Sequence, residues 1–123
     1  MDINALYTAP AHEDGAEVRI LHPVTGKKTD FYILVKGVDS KTFREKQRSQ
    51  QRAIIDAMKG KEELKTDEYA LIVECSAGWR GLEDSGKEVP FTKEAARAMY
   101  ENSPNIAEQV DSFIVNRANF IKG

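Results

Sequence analysis

The chain is poor in the residues from which small enzymes and metal proteins are built. Its 123 residues hold one cysteine, Cys75, two histidines, His12 and His22, one tryptophan and four prolines. A lone thiol forms no internal disulfide, which fits a reducing compartment. One thiol and two separated imidazoles also give no cluster at metal-ligand spacing, so neither a metal nor a cofactor is expected. No apolar run approaches the ~18–20 residues of a membrane span, and no membrane contact is expected. The opening "MDINALYTAPAHEDG" has no basic patch followed by an apolar stretch and does not read as a signal peptide. An excess of positive charge is missing too: 18 basic against 20 acidic residues leave a net charge of −2 and no general footprint for nucleic acid.

What is present is the composition of a globular domain, 41% apolar and 31% charged. A chain of this length buries about two-thirds of its unfolded surface around one core. The expected fold is α+β and mostly helical, a single domain over 1–123: an arm at 1–14 with room for one helical turn, a β-hairpin at 15–37, and a helical part at 40–122. The hairpin follows from "GAEVRIL", where charge alternates with Val18 and Ile20, and from the β-branched and aromatic "DFYILVKG", with Pro23 and Gly26 between them as turn residues. Asp39 or Ser40 caps a helix that runs to Gly60, with apolar Phe43, Ile54, Ile55 and Met58 and nothing apolar between residues 44 and 52. "TDEYALIVECSAG" fits a buried strand as well as a helix. Thr66 as cap, acidic Asp67 and Glu68 in the first turn and Gly78 at the end favour the helix.

About four helices are expected after the hairpin, with a short flap carrying Trp79 between the second and the third. In the flap, "EDSG" is a turn cluster and Pro90 interrupts any ladder through "KEVPF". Thr92 then opens one helix, and Ser103 with Pro104 opens the last. Ile106, Val110, Phe113, Ile114 and Ile121 are expected on one stripe of that last helix.

Catalytic chemistry finds little to stand on. "TGKKT" at 25–29 lacks the second glycine and the Ser or Thr after lysine that a phosphate-binding loop needs. The two histidines read as surface or turn residues. Cys75 reads as a small buried hydrophobe, without the base and carboxylate of a nucleophilic site. No catalytic residues are assigned. "KTFREKQRSQQR" carries five basic residues against one acid and could touch phosphates, although a solvated helix face is the commoner origin of such a run.

Three motifs in order resemble one known family. The first is "GAEVRILHPVTGKKTD" followed by "ILVKGVDSKTFR", with Pro23, Thr25, Gly26, Gly37, Asp39 and Ser40 in a pattern of strand, P-x-T-G, strand and G-x-D-S. The second is "GWRGLEDSGKEVPFTKEAARAMYENSPNIAEQV", with Trp79, Gly81, Gly86, Phe91, Thr92, Pro104 and Ile106; the third is "NRANFIKG", with Asn119 and Phe120 near the end. Together they cover most of the chain, and it resembles a tail assembly chaperone of long-tailed, siphovirus-type phages or prophages.

The resemblance implies a non-enzymatic protein of the host cytoplasm, not expected in the mature virion. Its implied partners are the tape measure protein, which it keeps soluble, and the tail tube protein, reached mainly through a longer form made by a programmed frameshift. Self-association is expected, because covering a long target takes many copies. The candidate partner contacts are Trp79, Phe91, Phe113, Phe120, Ile121, Arg44, Arg48 and Arg52. Two other readings stay open: a small nucleic-acid-binding regulator using the arginines, and a structural tail protein retained in the virion.

Overall fold

Ala16–Leu21 (β1) and Lys28–Val35 (β2) pair antiparallel in the computed structural model, which describes residues 1–60 and 67–121. Period-two alternation decides which side chains go inward. Val18, Ile20, Phe31, Ile33 and Val35 are buried, while Glu17, Arg19 and Tyr32 face the other way. The turn between the strands holds "TGKK" as structure: Gly26 has φ +72°, and His22 Nδ1 accepts from the N–H groups of Val24 and Thr25. His22 is thus the turn histidine expected.

A third strand, Ser76–Arg80 (β3), completes the sheet in the order β1-β2-β3. It corrects the expectation of a helix continuing to Gly78. The helix here, Ala70–Cys75 (α3), is only six residues long, and Gly78 sits inside the strand opposite Leu34. Thr66, the expected cap, lies outside the described residues. The helix–strand junction is tied down by polar contacts: the buried Ser76 hydroxyl donates to the Ile72 carbonyl and accepts from the Tyr100 hydroxyl at 2.6 Å. Burial pushes the Tyr100 phenol up to about 12, so it stays a donor.

Chain entry to the two-stranded hairpin β4 (Glu83–Asp84) and β5 (Lys87–Glu88) passes Gly81. Its φ is +81°, and a Cβ there would run into the Asp30 carbonyl. Gly81→Ala is therefore expected to lose roughly 2–3 kcal/mol, combining an unfavourable backbone region with overpacking. A urea midpoint equal to wild type would contradict this.

The remaining helices follow their sequence signals. Lys41–Met58 (α2) starts where Ser40 Oγ accepts from Phe43 N at 3.0 Å, and Lys93–Asn102 (α4) where Thr92 Oγ1 accepts from Ala95 N at 3.0 Å. Pro104–Val115 (α5) begins with Pro104, although the Ser103 side chain makes no capping bond. It stops short of the expected stripe. A 3-10 turn, Arg117–Phe120, follows, burying Phe120 and leaving Ile121 63% exposed.

The core lies between the inner face of the sheet and the helices, with Tyr100, Val110 and Ile114 fully covered. The N-terminal arm is more structured than expected. After a 3-10 turn, Ile3–Leu6, it forms the helix Ala9–Asp14 (α1) and buries His12 completely.

Candidate functional site

Trp79 stands opposite Ile33 in the sheet register, so its indole is on the core side of β3. It meets Phe31 edge-on at 5.7 Å and Phe91 at 5.1 Å, with Nε1 donating to the Val89 carbonyl at 2.8 Å. The expected closeness to Phe91 is present, but the indole anchors the strand and the following hairpin onto the sheet. On the opposite face Tyr32 lies between Arg80 at 4.0 Å and Arg19 at 5.5 Å, with Glu17 bonded to Arg80 at 2.7 Å.

A second polar centre joins both ends of the chain. His12 is fully buried, correcting its reading as a surface histidine; its Nδ1 accepts from Asp39 N at 2.9 Å, and its ring stacks on Phe120 at 4.5 Å. Asp39 in turn takes a two-pronged bond from Arg117 (2.8 and 2.9 Å) and one from Thr8 at 2.6 Å. His12 approaches this closely because residue 37 is glycine: a Cβ on Gly37 would collide with the imidazole. These contacts set the charges. The Arg117 guanidinium, helped by Thr8, holds the Asp39 carboxyl at about 2, and burial pushes the His12 imidazole down from its ordinary value. Phe120 and Phe113, proposed as partner contacts, meet each other at 5.5 Å; Phe120 is only 3% exposed and has almost no surface to offer.

Lys93 closes a third centre, donating to the carbonyls of Val73 (3.1 Å), Glu74 (2.9 Å) and Ser76 (2.5 Å). It gathers the carbonyls where the last turn of α3 passes into β3, the Glu74 carbonyl among them. Cys75, fully buried beside it, has its thiol pushed up to about 12 by burial, so it is neither nucleophile nor ligand. Among the described residues, no group of three or more His, Cys, Asp or Glu could hold a metal ion.

The arginine candidates lie on the outward side of α2. Arg44, Arg48 and Arg52 are all exposed along the helix, and towards its C-terminal end Ile54 and Ile55 are nearly half exposed and Met58 is 82% exposed. At 100° per residue these six side chains share one face, opposite the side carrying Thr42, Lys46 and Ala57. Sequence reasoning named the arginines but left the three apolar residues out of the candidate contacts.

Sequence reasoning also missed a groove of about 230 Å³ between α3 and α5. Tyr69, Ile72, Pro104 and Ala107 line it with apolar surface, and Glu68, Glu108 and Asp111 stand along it. Desolvation first, then the charges of Glu68, Glu101 and Glu108, push the Tyr69 phenol upward. The acids come from the turn before α3 and from α5, about forty residues apart, and no local pattern joins them. No helix among the described residues is long and apolar enough to cross a membrane.

The chain matches no protein-family model, no curated protein and no solved structure.

Proposed function

We propose that this protein is a tail assembly chaperone of a long-tailed phage or prophage, which binds the tape measure protein, keeps it soluble and helps recruit tail tube subunits without catalysis. The observation that carries the reading is the outward face of α2, where Ile54, Ile55 and Met58 stay exposed beside three arginines. A long amphipathic helix aggregates through its apolar stripe, and a helix presenting apolar residues with flanking charge can cover such a stripe. The motif residues add support by their places in the fold. Pro23, Thr25 and Gly26 belong to the hairpin turn, Gly37 and Asp39 to the His12 centre, and Ser40 and Thr92 cap helices.

Co-expression with a tape measure protein from the same phage or prophage tests the proposal. Wild type should move that chain into the soluble fraction, and Ile54→Ser with Met58→Ser should lose most of the effect while folding normally. A tape measure chain equally insoluble with and without wild-type protein rejects the reading. Abundant copies of this chain in purified virions, by mass spectrometry, would favour a structural tail protein instead. Recruitment of tube subunits is assigned to the frameshifted longer form. Ile121 is exposed, so added chain would depart from the surface without crossing the core. The slippery-site candidates reach Lys61, Lys122 and Gly123, outside the described residues; expression of the native gene with its downstream sequence should give a second, larger band sharing this N-terminus.

A further inference from the structure

We infer that the outward face of α2 docks into the groove between α3 and α5 of a second copy of this chain. The two surfaces are complementary in both charge and apolar content. The helix face offers Arg48 and Arg52 one turn apart, followed by Ile55 and Met58 on the same side. The groove offers Tyr69, Ile72 and Ala107 as an apolar floor, with Glu68, Glu108 and Asp111 along it. Among the described residues, none of these three carboxylates and neither Arg48 nor Arg52 stands within 4.0 Å of an opposite charge. The chain's other arginines, at positions 19, 80, 97 and 117, are each paired with a carboxylate, and Arg44 donates to the Ser40 carbonyl. Among the described residues, the two arginines with neither a carboxylate nor a backbone partner thus both lie on the helix face that also exposes apolar side chains.

Apolar contact supplies the attraction, and the charges set which way the helix lies in the groove. Each copy carries one helix face and one groove, so a pair closes reciprocally or a row grows head to tail. Rim charges at this exposure are screened by salt, and the assembly should loosen as ionic strength rises. The inference concerns the protein alone in solution: without a target the second copy covers this face, and a target's apolar stripe, seated on the same Ile54, Ile55 and Met58, displaces it.

Sedimentation of the purified full chain, treated with nuclease, tests it with three variants. Arg48→Glu with Arg52→Glu reverses the helix face, Glu108→Lys with Asp111→Lys reverses the groove, and the third variant carries all four changes. All four positions are solvent-exposed, and circular dichroism verifies that each variant folds. Wild type should associate reversibly with concentration, each double reversal should weaken association by roughly tenfold or more, and the fourfold variant should regain most of it. Wild type that stays monomeric to high micromolar concentration overturns the inference. So does a double reversal that associates like wild type, or a folded fourfold variant that stays monomeric. Association that disappears with nuclease would assign the arginine face to nucleic acid and overturn it as well.

Discussion

Replacing Trp79 with alanine is expected to cost about 3–5 kcal/mol in chemical denaturation, the range for deleting a large aromatic side chain from a packed site. Three separate contacts disappear together. The edge-on packing against Phe31 and Phe91 is lost, and the Val89 carbonyl loses the indole N–H that ties the stretch before Pro90 back to β3. Aromatic pairs of this geometry add about 0.5–1.5 kcal/mol each beyond their buried area. Trp79→Phe keeps most of the ring contact and removes the donor, so it should lose about half as much or less. A loss below about 1 kcal/mol for Trp79→Ala, with target binding abolished, would instead make the indole a contact residue.

Acidification should weaken the fold in two stages. Asp39 is held at about 2 by Arg117 first and Thr8 after it, against an ordinary value of 3.8; Glu13 is held at about 2 by Lys36 first, then Thr42, against 4.5. Both folded values lie below the unfolded ones. The stability they contribute is therefore complete above about pH 5 and lost as pH falls through 4 toward 2. At about 1.4 kcal/mol per unit, Asp39 accounts for roughly 2 kcal/mol. Glu13 is 37% exposed in its side chain, and solvent screening reduces its share to about 1 kcal/mol. His12 acts earlier. Burial lowers its folded value below 6.5, so the unfolded chain binds the extra proton more readily and stability begins to fall as pH drops below 6.5. Urea midpoints measured from pH 8 to pH 3 at constant ionic strength should decline on both limbs. Asp39→Asn should start lower and flatten the acid limb, whereas a flat wild-type profile would contradict both assignments.

Local chemistry was readable and distant pairing was not. Alternation marked β1, β-branched and aromatic residues marked β2, and Ser40, Thr92 and Pro104 marked helix starts, because each signal acts within a few residues of itself. β3 escaped because its five residues contain a central glycine and follow an apolar run that suits a helix. Its identity comes from a partner strand more than forty residues earlier. His12 escaped for the same reason: nothing near it in sequence shows that Gly37, Asp39 and Phe120 close around it. The α2 arginines were visible as a charge run. The groove acids were not, since Glu68 and the pair Glu108 and Asp111 meet only after α3 and α5 pack.

Gln109 has a consequence that concerns what the sheet is prevented from doing. Its amide, projecting from α5, accepts from Leu21 N at 2.8 Å and donates to Leu21 O at 2.9 Å, imitating one rung of a fourth strand on the open edge of β1. On the far edge, Lys93 occupies the carbonyl of Ser76 at the start of β3. An exposed strand margin is a template on which other chains accrete, and the hazard grows with local concentration. These two side chains act as stoppers at the two margins, so many copies at high local concentration need not seed cross-β accretion.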